Sequence, residues 1–334
     1  MTLQPVVSVI VPIYNVSPYI ATFARSLFAQ TYPAIEFIFV DDGSQDDSVS
    51  ILRRIAEEEY PQLLDRIHIH HQTNQGLPSA RLAGLRQATG TYILHADSDD
   101  WMEPDLVEVL VQESLATGAD VTYCDIFKEK QKKTSILREE VYPPAGLRQM
   151  FTDLIHGRKI HGYVWNKLVH RSLYTPELVW PKYSMREDFI VTIQLLARAK
   201  CIRHVAKPLY HYRRNNPGSI TRKDFRRKRR ECADNMLLLY EALRHKGSLA
   251  VMRNLTDEYL VRAAYYAVTA LHFKLFENYP YIIPFLMAKD PARKTGLSRG
   301  KQRLLYLAIR LYQRFSTPAY SSVPRGKQAP EWHI

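Results

Sequence analysis

The stretch that decides the fold is Val6-Val7-Ser8-Val9-Ile10-Val11, which is followed by Pro12. A run of β-branched residues without polar alternation predicts a strand that is buried on both faces, as in a parallel sheet. Pro12 is expected to end this strand. Apolar residues then recur at helical spacing over residues 20–28, and Tyr32-Pro33 is expected to end that helix. This order predicts the first strand–helix unit of an α/β fold.

The same alternation continues as far as residue 126. Short apolar runs predict strands, and stretches with helical periodicity lie between them. The predicted strands are 36–40, 67–70, 92–95 and 121–126, and the predicted helices are 48–55, 78–88 and 104–117. Residues 128–140 are charged and irregular, which predicts a surface loop or an edge hairpin, and helical patterns dominate after about residue 150. The fold class predicted is α/β, with a mostly parallel sheet flanked by helices and a helical C-terminal extension.

Polar clusters follow three of the predicted strands. They are Tyr14-Asn15, Asp41-Asp42 and Asp97-Ser98-Asp99-Asp100. Because ligands of such sheets bind beyond the carboxyl ends of the strands, these clusters are expected to converge on one edge. Three carboxylates within four residues repel one another, which indicates a compensating Mg²⁺ or Mn²⁺ and a bound nucleotide diphosphate. The alternative is an acidic turn that caps the next helix.

The charge of the 334-residue chain is unevenly distributed. Residues 1–150 hold 12 Lys/Arg and 21 Asp/Glu, a net charge of −9, whereas residues 151–334 hold 34 and 13, a net charge of +21. The basic half could meet anionic lipid, nucleic acid or a phosphorylated substrate. The three cysteines have no CxxC spacing, which argues against zinc or disulfide frameworks and fits a reducing cytosol. We expect neither a signal peptide nor a membrane-spanning helix.

With these residues in place, roughly the first 220 positions resemble a family 2 glycosyltransferase of the GT-A fold. The resemblance depends on seven motifs that occur in the family's order. They are residues 7–15, 40–44, Asn74-Gln75-Gly76 with Ala80-Arg81, 97–100, Trp165-Asn166-Lys167-Leu168, Arg186-Glu187-Asp188, and His211-Tyr212-Arg213 with Ser219-Ile220-Thr221.

The resemblance implies a nucleotide site and a catalytic base. Asp42 would accept a hydrogen bond from the base, which we expect to be uracil, in a pocket shaped by Pro12 and Tyr14. Arg81 would orient Asp42 or the diphosphate, or it is a plain surface arginine. The remaining implied roles are ribose contact for Asp97, Mn²⁺ or Mg²⁺ binding for Asp99 with Asp100 beside it, and proton abstraction from the acceptor for Asp188, with Glu187 as the alternative base or cap.

The resemblance also implies a lid and an acceptor side. Arg213, Ser219 and Thr221 would form a loop over the diphosphate, the alternative being an ordinary exposed loop. Trp165, Lys167 and Glu187 would line the acceptor side, although a buried Trp165 is equally compatible with the sequence. The histidines His95, His161 and His211 have no metal-ligand spacing, and we interpret them as structural.

These roles together predict a metal-dependent, inverting transferase. It would move a sugar from a UDP-linked donor to a hydroxyl of a growing glycan or a lipid-linked oligosaccharide in bacterial polysaccharide biosynthesis. The alternatives are a nucleotidyltransferase on a similar fold and a non-catalytic, membrane-associated nucleotide- or glycan-binding module. The predicted domains are 1–222 for the GT-A domain (nucleotide-binding half about 1–125, acceptor half about 126–222), 223–315 for a basic helical extension and 316–334 for a loose tail.

The basic end suggests a membrane surface as a partner. Residues 302–315 predict an amphipathic helix with a basic face, and Arg226-Arg227-Lys228-Arg229-Arg230 adds further charge. One interpretation is in-plane binding to the anionic inner face of the cell membrane by a cytoplasmic protein. The alternative is a helix that packs on the core with a solvated basic face. Nucleic-acid binding ranks low, because no aromatic platform accompanies the charge.

Overall fold

The computed structural model describes residues 4–131, 133–143, 146–216, 218, 224–245, 256–288 and 299–315. The strands in these residues are β1 (Val7–Ile13), β2 (Ile35–Asp41), β3 (Ile67–His71), β4 (Tyr92–His95), β5 (Trp101–Met102), β6 (Val121–Lys130), β7 (Lys133–Leu137), β8 (Lys167–His170) and β9 (Ile202–Arg213). The helices are α1 (Ile20–Phe28), α2 (Ser48–Glu59), α3 (Leu77–Gln87), α4 (Leu106–Thr117), α5 (Leu147–His156), α6 (Glu187–Arg198), α7 (Phe225–His245), α8 (Thr256–Thr269), α9 (Lys274–Asn278), α10 (Ile282–Ala288) and α11 (Arg299–Phe315).

All nine of these strands belong to one mixed sheet. Its order is β3-β2-β1-β4-β8-β6-β9-β5, and β7 pairs with β6. The first four strands are parallel to one another. Strand β8 then inserts antiparallel between β4 and β6. The predicted α/β class and each strand–helix unit up to β6 are therefore confirmed. Strands β6 and β7 pair antiparallel, which confirms the edge-hairpin alternative for this region.

Strand β1 continues through Pro12, where the sequence predicted its end. Pairing of β1 with β4 stops at Ile10, whereas pairing with β2 continues to Ile13. Beyond Ile10, β1 does not pair with β4, so a proline, which lacks an N–H, is tolerated on that side. The two additional residues carry the backbone to the edge where the polar clusters lie.

Helices α5 and α6 share one hydrophobic core with the C-terminal helices. It contains Phe151 of α5, Ile190 of α6, Leu237 of α7, Ala264 of α8 and Ile309 of α11, each at most 1% exposed. A second core lies under β1, β2 and β4 against α1, α2 and α4. The helices after residue 224 are thus packed onto the sheet domain.

Helix α11 divides its apolar residues between two sides. Leu305 and Ile309 are 1% and 0% exposed and belong to the shared core. Leu304 and Leu307, by contrast, are 48% and 58% exposed. The packing alternative is therefore confirmed for one side of the helix, and the outward side is left open to a partner. No helix in the described ranges is long and apolar enough to cross a membrane.

Candidate active site at the carboxyl edge of the sheet

The loops that follow β1, β2 and β4 meet at one edge. The Asp42 N–H donates to the Ile13 carbonyl at 2.9 Å, which joins the first two loops. The Ser98 hydroxyl donates to the Pro12 carbonyl at 2.7 Å, which joins the first and third. Parallel strands end on the same side of a sheet, so residues far apart in sequence come together here. The predicted convergence of the polar clusters is confirmed.

Asp42 lies at the base of this edge and is 3% exposed. Its Oδ1 accepts from Gln72 Nε2 at 2.7 Å and from the Gln75 N–H at 2.8 Å, and its Oδ2 accepts from the Gly76 N–H at 2.8 Å. Gly76 has a φ of 88°, which favours glycine at this turn. Asp42 therefore fixes the loop before α3. A carboxylate oxygen has two acceptor positions, so Oδ2 retains one for a ligand N–H.

Pro12 and Tyr14 have different exposures at the end of β1. Pro12 is buried, and its carbonyl is engaged by Ser98. The Tyr14 side chain is 50% exposed and stands beyond the end of the strand. An exposed aromatic ring can stack on a flat base. The position of Tyr14 is compatible with the role that the resemblance implies.

Two of the carboxylates after β4, Asp99 and Asp100, lie in an unfavourable environment for negative charge. Burial, followed by the charge of Asp97, raises the pKa of Asp99. Burial, followed by the charges of Asp99 and Asp97, raises the pKa of Asp100 well above its usual range. The Asp100 Oδ2 is buried and has no hydrogen-bond partner among the described residues. A cation at this position would relieve both the repulsion and the missing contact.

Asp99 and Asp100 fit a divalent ion that takes some of its ligands from the protein and the others from a bound substrate. In the described part of the chain, no group of three or more His, Cys, Asp or Glu side chains is arranged to hold a metal alone. Mg²⁺ is commonly held by one or two carboxylates together with phosphate oxygens and water. Asp99, supported by Asp100, supplies carboxylates of that kind.

Arg213 of β9 is held beside the acidic cluster. Its backbone N–H donates to Asp100 Oδ1 and its Nε donates to the Asp99 carbonyl, both at 2.7 Å. Its guanidinium lies between two aromatic rings, 4.6 Å from the centroid of Trp101 and 5.0 Å from that of Tyr19. A guanidinium held so close to the cluster can contact a phosphate.

His211 also stacks on Trp101. The two rings stack with centroids 4.8 Å apart, and Phe127 stacks at 4.3 Å from His211. The imidazole nitrogens lie 2.7 Å from a Glu103 oxygen and 2.8 Å from a Glu129 oxygen. With both nitrogens engaged by carboxylates, His211 fits the structural role that the sequence indicated. It supports the stack that holds Arg213.

Arg81 joins the acidic cluster to α6. Its side chain is only 2% exposed, so the alternative of a plain surface arginine is wrong. Its Nη2 lies 2.6 Å from Asp97 Oδ1, and its Nε lies 3.3 Å from Glu187 Oε1. It does not contact Asp42 in any hydrogen bond of the described residues. One buried guanidinium therefore ties the end of β4 to the first turn of α6.

Glu187 and Asp188 open α6 and differ in their surroundings. Glu187 is buried, and burial, opposed by Arg81 and assisted by the charge of Asp188, raises its pKa to about 8. Asp188 is half-buried, and burial is the main cause of its raised pKa. Its Oδ1 accepts from the Phe189 N–H at 2.7 Å. Asp188 is thus the more accessible carboxylate, and a raised pKa suits a base that must accept a proton.

Trp165 and Lys167 lie inside the protein, which agrees with the buried alternative for Trp165 and differs from the acceptor-side position expected for Lys167. Trp165 is 3% exposed and stacks on Tyr163 at 4.5 Å and Tyr210 at 4.4 Å. Lys167 is 2% exposed, and its Nζ donates to the His161 carbonyl and to Asn166 Oδ1. Glu139 also faces Lys167 at 3.9 Å. Apolar stacking and a buried cation network, rather than sugar contact, account for both residues.

The structure describes only part of the segment that was predicted to form a lid, residues 213–221. Ser219 and Thr221 lie outside the described residues. Asn216 is described, and its Nδ2 donates to Asp99 Oδ2 at 2.7 Å while its Oδ1 accepts from the Gly218 N–H at 2.8 Å. Sequence reasoning missed this contact, and it also missed the Tyr210 hydroxyl, which accepts from the Asp97 N–H at 3.0 Å. The sequence motif ending at Arg213 gave the only signal that this segment approaches the cluster.

The fold and the edge define a class of protein: α/β proteins that bind ligands at the carboxyl ends of parallel strands, here with clustered acids and buried arginine. A family model described as glycosyl transferase family 2 matches residues 8–174. A putative glycosyltransferase, EpsH of Bacillus subtilis (strain 168), is 31% identical over 268 residues, which cover 77% of this chain and 74% of that relative. The chain belongs to glycosyl transferase family 2, and it has the glycosyltransferase activity of that family.

Two solved structures share the fold. The structure of Staphylococcus aureus TarS residues 1–349 in complex with UDP-GlcNAc superposes with a TM-score of 0.64 at 19% identity, covering 92% of this chain and 91% of that one. The mannosyltransferase PcManGT of Pyrobaculum calidifontis, in complex with GDP-Man and Mn²⁺, gives 0.53 at 20% identity, covering 94% and 88%. The architecture is therefore the GT-A fold, and its helical C-terminal region is included in the match.

Proposed function

We propose that this protein transfers a sugar from a nucleoside diphosphate sugar, UDP-linked, to a hydroxyl group of a growing glycan or a lipid-linked oligosaccharide. The reaction would be a direct displacement with inversion at the anomeric carbon. A cytoplasmic enzyme of bacterial cell-envelope polysaccharide synthesis, acting at the inner face of the membrane, is the setting we infer. It follows from the family and from the basic second half of the chain.

The observation that best supports the proposal is the position of Arg81. This one buried guanidinium contacts Asp97, next to the candidate metal ligand, and Glu187, next to the candidate base. Its charge also acts on Asp188. A donor held by the acidic cluster and an acceptor approaching Asp188 would thus meet at one rim, which a displacement reaction requires.

The residues would divide the reaction as follows. Tyr14 and Asp42 would hold the base, Asp97 the ribose, and Arg213 the diphosphate. Asp188 would take the proton of the acceptor hydroxyl as its oxygen forms a bond to the anomeric carbon. The bond from that carbon to the diphosphate oxygen would break, and its electron pair would leave with the nucleoside diphosphate.

A divalent ion would be held by Asp99, with Asp100 beside it. When bound, it supplies positive charge that stabilises the departing diphosphate. The raised pKa values of Asp99 and Asp100 support this position, as does the Asp100 Oδ2, which lacks a hydrogen-bond partner within the described ranges. The Mn²⁺ of the structurally similar mannosyltransferase gives the ion its chemical precedent.

The base of the donor is inferred from one acceptor group and one similar structure. The free acceptor position of Asp42 Oδ2 suits the imide N–H of uracil. UDP-GlcNAc is the ligand of the TarS structure. A nucleotidyltransferase would call for a glycine-rich, basic phosphate loop after β1, but Tyr14-Asn15-Val16-Ser17 stands there.

A panel of nucleotide sugars tests the proposal. The purified protein is incubated with UDP-, GDP- and dTDP-linked sugars in the presence of Mn²⁺, and release of the nucleoside diphosphate is measured. We expect slow hydrolysis of at least one UDP-sugar, and its loss on adding a chelator. Release from a GDP- or dTDP-sugar alone would correct the base, while release of pyrophosphate from a nucleoside triphosphate would favour the nucleotidyltransferase.

A further inference from the structure

Two basic segments that are distant in sequence meet across α8. The Cζ of Arg229, in the second turn of α7, lies 5.6 Å from the ring centroid of Tyr265. The Nζ of Lys301, in the first turn of α11, lies 5.9 Å from the centroid of the same ring. The beginnings of α7 and α11 therefore both lie against Tyr265. We call the exposed cations around them the basic face, which consists of Arg226, Arg230, Lys301, Arg303 and Arg310.

The cations of the basic face point to solvent. Arg226 and Arg230 of α7 and Arg303 and Arg310 of α11 are exposed. Among the described residues, no carboxylate lies within 4.0 Å of these four guanidinium groups, although the neighbouring Arg227 pairs with Glu231 at 2.8 Å. Positive charges without carboxylate partners among the described residues indicate an anionic partner outside the protein.

Apolar side chains are interleaved with these cations. Phe225 is 59% exposed, Leu304 is 48% and Leu307 is 58%. Leu304 and Leu307 do not contribute to the core, because Leu305 and Ile309 occupy the inner side of α11. A helix with leucines and arginines on one outward side, and a second leucine-containing side in the core, can rest on a surface that offers both negative charge and apolar depth.

We propose that the basic face binds an anionic lipid bilayer. The negative surface potential would attract the Lys and Arg side chains, and Phe225, Leu304 and Leu307 would enter the interfacial region. This face would be the part of the protein that contacts the membrane inferred above. Only the identity of the acceptor rests on the proposed function. Nucleic acid would use the charge but would leave the two leucines without a role.

The chain length limits how far the start of the basic face can lie from the acidic cluster. Asn216 contacts Asp99, and α7 begins at Phe225, about seven residues after Gly218. A chain of that length spans at most roughly 25 Å. A bilayer bound at Phe225 would therefore lie within roughly 25 Å of Gly218, next to the residue that contacts Asp99.

Vesicle binding of the full-length protein, measured without donor or acceptor, tests this inference. We expect flotation with phosphatidylcholine vesicles that contain about 30% phosphatidylglycerol, and we expect salt to weaken it. Flotation with pure phosphatidylcholine vesicles should be slight. Arg303→Gln/Arg310→Gln should lower the partition coefficient roughly 10-fold or more. Leu304→Asn/Leu307→Asn should lower it at unchanged charge.

A matched control removes the same charge elsewhere. Arg54→Gln/Arg86→Gln changes two exposed arginines of α2 and α3, and should leave flotation within about twofold of wild type. Equal loss in both arginine pairs, or no flotation of the wild type with anionic vesicles, would overturn the proposal. So would tighter binding of an oligonucleotide, or self-association that the leucine variant abolishes. Because hydrolysis of the nucleotide sugars is measured without a membrane, failure here leaves the transferase proposal standing.

Discussion

Replacing Asp188 by asparagine is expected to lower the turnover number about a thousandfold while leaving donor binding within about twofold of wild type. The carboxylate is the proposed acceptor of the proton, and an amide cannot take that proton. The side-chain oxygen of the introduced asparagine can still accept from the Phe189 N–H, as Asp188 does at 2.7 Å, so the first turn of α6 is preserved. The change therefore separates chemistry from folding.

The pH dependence gives a second signature of the same residue. Burial raises the pKa of Asp188 from its usual 3.8. Since the base acts only when deprotonated, turnover should fall as the pH falls through that raised pKa, and the acidic limb should lie above the ordinary aspartate range. The Asp188→Asn variant should lack this limb.

Steady-state transfer and calorimetric titration with UDP measure the two effects. The control is Asp65→Asn, which removes the same charge at an exposed position, and it should behave as wild type. Retained turnover in Asp188→Asn, combined with loss of turnover in Glu187→Gln, would move the base to Glu187. That outcome would contradict the assignment made here.

Replacing Asp99 by asparagine is expected to lower metal-stimulated transfer about a hundredfold or more and to abolish the effect of Mn²⁺ on UDP binding. The reason is the loss of the negative charge proposed to hold the ion. The side-chain oxygen that Asn216 contacts at 2.7 Å is retained. The loop geometry should therefore survive.

Thermal stability gives this variant a readout that does not depend on activity. Because the pKa of Asp99 is raised on folding, its ionised form opposes folding, and this penalty grows as the pH rises through the raised pKa. Without metal at neutral pH, Asp99→Asn should melt at the wild-type temperature or above it. Mn²⁺ with UDP should raise the melting temperature of the wild type and of Asp65→Asn, but not of Asp99→Asn. An equal rise in all three would place the ion elsewhere.

Sequence periodicity was sufficient for the parallel half of the sheet. Strands such as residues 92–95 and helices such as residues 20–28 carry local signals, a continuous apolar run and a 3.6-residue repeat. Strands β8 and β9 were missed because their pairing depends on partners far away in the chain. Lys167–His170 contains only two consecutive apolar residues, and β9 changes register beside Asp125. Neither leaves a periodic signal.

The candidate site could likewise be predicted only in part from the sequence. The acidic residues could be identified because they directly follow strands, and strand ends converge in this topology. Burial could not be read from the sequence, so Lys167 was expected on the acceptor side, Trp165 was left between that side and the interior, and Arg81 was not expected in the interior. The bond between Arg81 and Glu187 joins residues 106 positions apart. Only the folded arrangement of α3 against α6 reveals it.

The central claim is that one sugar nucleotide lies between Asp42, Asp99 and Asp188. The most direct measurement is a crystal structure of the Asp188→Asn variant with Mn²⁺ and an intact UDP-sugar. We predict the uracil near Asp42 and Tyr14, the diphosphate between Asp99 and Arg213, and the anomeric carbon facing residue 188. A donor bound with its anomeric carbon turned away from residue 188, or in a different cavity, would contradict the account.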